Sequence, residues 1–598
     1  MAARAPRATV ARVVARASSK RRLVRPASIA RASKTRNGDS IDDDVARAVT
    51  RGRTSGKENR ERRARGGGGG RGGEIQSALA SATSAEDALE IVERELEAFD
   101  AVHCATALHR VAKYSGSESR LERDSRAAEG LTRDGRFAAL AKRVSESVRE
   151  MDAYGLANVA WSFAKIGYTP GQETLSAIAS TLETEIGKPE ARVKPQSLSN
   201  ATYAFGKMRF KPPKSTLEAL CSATERAMVE FRADEFSGML LGLAHLDHVP
   251  DQAFLDSATA FMQQNLRRFD DAATCNVLWA YARMEKPLPS EIIDTLLSQL
   301  AGANLGGAHS HVNVPMCLYA CARLNHQPPP VFVRAVDQEI PRCAKRMNIG
   351  SLDSVFWALG TLGGTGEGQL SLSADAYEAV CEAVAAKHDV DVELVAKVFW
   401  GLAKVNYRPR DSTLVGLARM AKSRAKELSD DNILLIMHAW GVLRWNPGEE
   451  LVQEYARIFI DAERVKLNPG QAAKLLCAYG RVRWLPPSSH AQSLIEILVD
   501  EAEQKRLHPA TAVLGLWGAS LLALKLETKQ LDALARDTIK QDLSPRSLAK
   551  CVWALAALGY DPTPIDLASL KTATDAAWGK LAVKDQAALK QALTRMGI

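Results

Sequence analysis

Between residues 151 and 564 the chain repeats one order of apolar and polar positions at intervals of about 39 residues. The clearest copies run Trp161–Pro170, Tyr203–Pro212, Trp400–Pro409 and Trp553–Pro562, each an aromatic, an apolar stretch, a second aromatic and a proline. With the first residue of the phrase as anchor, weaker copies complete the series Trp161, Tyr203, Leu241, Trp279, Tyr319, Trp357, Trp400, His438, Cys477, Trp517 and Trp553. At 100° per residue, positions −2, +2 and +5 from the anchor share one helix face, as in Val159/Phe163/Ile166 and Val398/Leu402/Val405, and no copy places a charge there. That stripe is predicted core.

Eight of the eleven copies carry a proline nine residues past the anchor, which ends the first helix and is suited to opening a second. Amphipathic stretches such as Ser215–Cys221 and Ser493–Val499 supply that second helix. First helices often open with a proline, at Pro195, Pro469, Pro509 and Pro545. A single hairpin cannot cover its own apolar face, so neighbours must stack. The expected fold is all-α: an α-solenoid of about 11–12 helical hairpins of about 38–40 residues, behind a disordered N-terminal segment. A degenerate copy at Thr106–Val111, followed by a polar insertion from Ser115 to Arg136, assigns 74–150 to the N-terminal end of the array; 565–598 is expected to cap the other end.

Composition supports a folded body: 46% hydrophobic and 25% charged residues exclude a wholly disordered or collagen-like chain. No apolar run approaches the ~20 residues of a membrane span, so membrane insertion is not expected. The nine scattered cysteines fit reduced, buried thiols. The net charge of +9 is unevenly placed: residues 1–73 hold 20 Lys/Arg against 6 Asp/Glu, leaving the remainder slightly acidic. Residues 1–38 carry eleven Lys/Arg and no acid, the composition of an organellar transit peptide, with a plain basic tail as the alternative. Residues 39–73 contain five consecutive glycines and several arginines and are expected to be a flexible linker, or a weak RNA-holding tract.

Within the repeat, positions −3, 0 and +4 lie away from the core stripe. At +4 stand Lys165, Lys207, Arg283, Arg323, Lys404 and Arg481, and at −3 Lys397, Lys474 and Lys550 together with Asn158, Asn200 and Asn276. Of the 22 positions, nine are Lys/Arg and none is acidic, where an even spread of the body's charges would place about two or three of each sign. Basic residues at +4 also suit the carbonyl end of a helix, but the dipole does not explain lysines at −3. The pattern points to first helices lining an inner channel for a single-stranded polyanion, the cations contacting phosphates and the asparagines base edges. The anchor aromatics are expected to pack between repeats, and those at +7 (Tyr168, Phe210, Tyr407, Trp445, Trp484, Tyr560) to staple the turn. One repeat per base gives a footprint of about eleven nucleotides. The competing reading is a protein-binding scaffold of armadillo or HEAT type.

The copies Leu156–Pro170, Leu198–Pro213, Cys275–Pro289, Val395–Pro409, Ala473–Pro487 and Leu548–Pro562 resemble octotricopeptide repeats of algal organellar proteins, including Tbc2-type chloroplast translation factors. They are also similar to the helical regions of FAST-kinase-like proteins. This resemblance implies a protein that binds single-stranded organellar RNA and acts on transcript stability, processing or translation. It implies the chloroplast, with the mitochondrion as alternative, and the ribosome or other RNA-processing proteins as further partners. Many members of both groups end in a small RAP domain, which is not recognisable after Pro562, so no nuclease activity is inferred. No cofactor, metal or catalytic constellation is expected. Cys317 and Cys321 occupy core positions, Gly66–Gly70 lacks the ending of a phosphate loop, and Asp42–Asp44 reads as a solvated cluster.

Overall fold

A computed structural model describes residues 70–115, 130–303, 305, 307, 309–364, 366, 368–387, 390–423, 427–460, 467–539 and 543–597. The expected transit peptide and nearly all of the glycine–arginine segment lie outside them, and Arg71–Gly73 belong to the first described helix, Arg71–Ser81. The described residues form an α-solenoid of thirteen helical hairpins and a closing helix, Val583–Arg595. Eleven of the hairpins are the anchored repeats, from Ala153–Ile166 with Gln172–Gly187 to Pro545–Ala557 with Pro564–Ala577. Two precede them: Arg71–Ser81 with Ala85–Glu95, and Ala101–Tyr114 with Gly135–Ser147. No described helix is long and apolar enough to cross a membrane.

The predicted stripe is the core. Every −2 and +2 residue is buried, from Val159 and Phe163 to Cys551 and Leu555. Each stripe packs under the second helices, whose own apolar faces (Leu175, Ile178 and Leu182 in one; Leu494, Ile495 and Leu498 in another) close the layer. Adjacent first helices approach one another much more closely than adjacent second helices do. A stack with one tightly spaced layer bends toward that layer, which puts the first helices on the inner side.

The tight spacing has a sequence cause. Positions +1 and +3 are Ala, Gly or Ser in all eleven repeats. The +1 residue faces the preceding repeat and the +3 residue the following one. A Cβ on Gly242 would fall 2.6 Å from backbone atoms of Thr202 and Tyr203, and one on Gly206 would fall 2.9 Å from the Gly242 carbonyl. Neighbouring helices here touch backbone to backbone. At Gly360 the freed space is occupied by the ring of Trp400.

Each first helix ends the same way. In ten of the eleven repeats the +6 residue is left-handed, as in Gly167 (φ 76°), Arg209 (54°), Asn406 (52°) and Ala523 (49°), and the +7 amide bonds the +2 carbonyl, as from Tyr168 to Phe163 and from Trp445 to Trp440. Where the +2 residue is also aromatic, the +7 ring lies against it: Phe205–Phe210 centroids are 5.6 Å apart and Tyr479–Trp484 4.9 Å. These rings staple the turn. The +9 proline sits two residues before the second helix, in the extended connector, rather than at its first position; only Pro330 and Pro564 open second helices. The eleventh case, Gly363, is extended where the chain leaves the helix, and the Leu370 amide bonds the Leu362 carbonyl there.

Ala523 is the costly member of this set, since a left-handed alanine carries a penalty of about 1–2 kcal/mol that glycine avoids. Ala523→Gly is expected to stabilise the protein by about 0.5–1 kcal/mol, after the larger unfolded-state entropy of glycine is counted. A lower denaturation midpoint for this variant would contradict the assignment.

Candidate nucleic-acid interface

The +1 and +3 positions fix the two sides of each first helix and the stripe fixes its base, so positions 0, −3 and +4 remain to face the channel. Trp161, Tyr319, Trp357, Trp400, Trp517 and Trp553 are half-buried there, whereas Tyr203 and Trp279 are buried. The anchor rings pack across repeat boundaries, with centroids 5.5 Å apart for His109–Trp161, 5.4 Å for Tyr319–Trp357 and 4.9 Å for Trp517–Trp553. They form the floor of the channel and hold successive repeats together.

The cations predicted from the sequence do not share one fate. Arg283 bonds Asp247 at 3.2 Å and lies over the ring of Trp279; Arg323 pairs with Glu285 and lies over that of Trp357. Lys397, whose side chain is only 9% exposed, donates to Asp353 at 2.6 Å. It is a structural ion pair and leaves the list of channel contacts. Lys165 packs on Trp161, with Nζ 5.0 Å from the ring centroid, while Lys207 is half-buried. Lys404, Lys474, Arg481 and Lys550 form no ion pair with any described carboxylate. Asn158 and Asn200 are half-buried at the channel, but Asn276 is 2% exposed and its amide does not reach the surface.

The neutralising acids were not visible in the −3 and +4 columns because they come from other columns. Asp247 and Glu285 occupy the left-handed +6 position of the preceding repeat, and Asp353 the −4 position. The signal was present one turn away: the +6 residues of the later repeats are Asn406, Arg444, Arg483, Ala523 and Gly559, with no acid among them.

The unpaired cations act on one another. Burial first, then the charges of Arg481, Lys474, Lys404 and Lys550, lower the His438 imidazole from 6.5 to about 4. Burial, then Arg481 and Arg546, depress the Lys550 ammonium. Nδ1 of His438 and Nε1 of Trp517 are buried without a hydrogen-bond partner. Four cations on neighbouring helices that all bear on one buried, neutral imidazole gather positive charge suited to receive negative charge.

Cys317 and Cys321 lie fully buried in the core, Cys317 with its sulfur 3.5 Å from that of Cys275; burial pushes the Cys321 thiol up to about 12. His326 is engaged by Asp294 at 2.8 Å. Among the described residues no group of three His, Cys, Asp or Glu side chains is placed to hold a metal ion.

The architecture and channel define an α-solenoid whose inner face is suited, over part of its length, to an extended polyanion. Within it, residues 214–367, about a quarter of the chain, match the family model described as the Tbc2 translation factor, N-terminal domain. Comparison with curated proteins finds no match. Among solved structures, a homology model of the full-length AP-3 complex in an intermediate open conformation aligns over 96% of this chain and 99% of that one, at 10% identity and a TM-score of 0.30. The crystal structure of the pentatricopeptide repeat protein PPR10 from maize aligns over 87% of this chain and 94% of that one, at 11% identity and a TM-score of 0.23. Both scores are too low to fix any correspondence between repeats.

Proposed function

We propose that this protein is a non-enzymatic, RNA-binding helical-repeat factor of organellar gene expression, holding a single strand in the channel of its first helices. The observation that carries this reading is the convergence of Lys404, Lys474, Arg481 and Lys550 without a described carboxylate partner. Phosphates would neutralise that cluster, and the half-buried rings of Trp400, Trp517 and Trp553 offer flat faces to bases beside it. The likeness of 214–367 to a translation-factor domain supports a role in translation or transcript handling. The arginine-rich, acid-poor first 38 residues support import into an organelle, the chloroplast before the mitochondrion.

The test is filter or anisotropy binding of single-stranded RNA to the full chain. Replacing Lys404, Lys474, Arg481 and Lys550 together by alanine is expected to weaken binding on the order of 100-fold near 100 mM salt, and to flatten the plot of log K against log salt by about 3. Unchanged affinity and slope would remove the basis of the assignment.

The ion-paired stretch from Asp247 to Lys397 favours a second reading for that part of the array, a neutral surface for another protein. The two readings are compatible along one solenoid.

A further inference from the structure

We infer that a strand held by the last five anchored repeats, whose first helices are Val392–Val405, Asp430–Val442, Pro469–Val482, Pro509–Leu521 and Pro545–Ala557, does not continue across the middle of the array. This rests on the RNA-binding reading and changes its scale. At one base per repeat the footprint becomes about five nucleotides instead of about eleven.

Both halves of the channel have half-buried aromatic anchors, Trp161, Tyr319 and Trp357 on one side and Trp400, Trp517 and Trp553 on the other, so the rings do not mark the boundary. Charge does. From Ala233–His245 to Ile349–Leu362 the +4 residues are His245, Arg283, Arg323 and Thr361. Burial, and then Arg283 and Arg209, lower the His245 imidazole to about 4, which keeps it uncharged at neutral pH. Asp247 engages Arg283, Glu285 engages Arg323, and Thr361 carries no charge. The −3 residues of these four helices, Gly238, Asn276, Met316 and Ser354, are all buried and neutral. A phosphate backbone crossing this stretch would find two arginines already paired and two carboxylates, Asp247 and Glu285, at the rim. Displacing either arginine would expose a carboxylate to the phosphates.

Past Lys397 the Lys and Arg residues at −3 and +4 have no described carboxylate partner. Asp353 consumes Lys397 at the boundary, and beyond it stand Lys404, Lys474, Arg481 and Lys550, with Arg444 and Arg483 at the +6 turns. None of these six is ion-paired to a described carboxylate. Within the first helices of these repeats the acidic side chains lie at the amino-terminal ends, in Asp391, Glu393, Asp430 and Asp431. Here they compensate the helix dipoles, and Asp431 accepts from Gln471 at 2.9 Å. The cations thus extend from mid-helix, at Lys474 and Lys550, to the carboxyl-terminal ends, at Lys404 and Arg481, and the strand's phosphates are expected to run along them.

The experiment uses the full chain and equimolar mixed-sequence oligoribonucleotides of 3 to 14 nucleotides. The slope of log K on log salt counts displaced counterions and does not depend on how many registers a longer strand offers. It is expected to grow with length to about five or six nucleotides and then stay constant. Lys474→Ala with Lys550→Ala should weaken binding by at least about tenfold. Arg283→Ala with Arg323→Ala should change it less than about twofold. Thermal melts of each variant confirm that the array is folded. A slope still rising at eleven nucleotides, or equal losses from the two double variants, overturns the five-repeat footprint while leaving RNA binding intact. Failure of the native protein to bind RNA of any length overturns the RNA reading and this inference with it.

Discussion

Gly242→Leu is expected to split the solenoid between Pro195–Lys207 and Ala233–His245. The glycine Cα faces backbone: even a methyl would lie 2.6 Å from the Thr202 carbonyl carbon and the Tyr203 nitrogen and 2.7 Å from the Thr202 oxygen. None of these atoms can rotate away. Gly206 closes the same contact from the other helix, so both sides of the interface are already at minimum separation. Overpacking a core usually costs about 1–3 kcal/mol because side chains and backbone shift a little; four carbons against a rigid neighbouring helix should cost more than the top of that range. Stability in a stacked array is approximately a sum of repeats and nearest-neighbour interfaces, so losing one interface uncouples what lies on either side. Calorimetry should show the amino-terminal hairpins melting separately and below the rest. Gly187→Leu, where nothing lies within 4 Å of the added carbon, is the control and should leave the trace unchanged. If the Gly242 variant melts with the native profile, the first helices are not spaced by their small residues, and the inward bend loses its explanation.

The same interface shows what the amino-acid pattern can and cannot disclose. The −2, +2 and +5 stripe is a property of one helix, and it placed the buried residues, the helix direction and the hairpin period. The small residues at +1 and +3 are just as regular, but alanine is a good helix former anywhere, so its smallness becomes informative only when a neighbour is known to press on it. The left-handed +6 position was legible at Gly167 and Gly559 and hidden at Arg209, Asp247, Glu285, Arg444 and Arg483, residues whose side chains give no sign of a positive φ. There the tertiary packing of the +7 residue overrides local preference. The binding face was harder still. Counting cations by column found Lys404, Lys474, Arg481 and Lys550 and, by the same rule, Arg283, Arg323 and Lys397. What separates the two groups is a carboxylate 36 to 44 residues away in sequence, which only the stacking of repeats brings alongside.

The second large effect is on pH. Three imidazoles, His109, His245 and His438, lie on first helices, and burial, reinforced by surrounding cations, lowers each from 6.5 to about 4. For His109 those cations are Arg110, Lys113 and Lys165; for His245 they are Arg283, Arg209 and Lys207, opposed by Asp247; for His438 they are Arg481, Lys474, Lys404 and Lys550. The folded pKa lies below the unfolded one, so as pH falls through 6.5 the unfolded chain takes up protons that the folded chain refuses. The stability these groups contribute is complete above about pH 7 and is lost between 6.5 and 4. Three such groups give a slope of up to ~4 kcal/mol per pH unit near pH 5, to which His248 and His490, also lowered by burial, add, and from which the half-buried carboxyls Asp271 and Glu393, whose raised pKa values act in the opposite sense, subtract. Denaturant midpoints at pH 7.5, 6.0 and 5.0 should therefore fall steeply for the native chain. They should fall much less for a His109→Leu, His245→Leu, His438→Leu variant, since leucine already stands at the anchor in Leu241 and at +4 in Leu521. Parallel losses in the two proteins would place the acid sensitivity elsewhere. At His438 the same field ties folding to binding: a polyanion that neutralises Lys404, Lys474, Arg481 and Lys550 removes part of what holds the imidazole uncharged. Its pKa must then rise on binding, so RNA binding should take up protons and strengthen as pH falls toward 4, and RNA should protect the late repeats from acid unfolding more than the early ones.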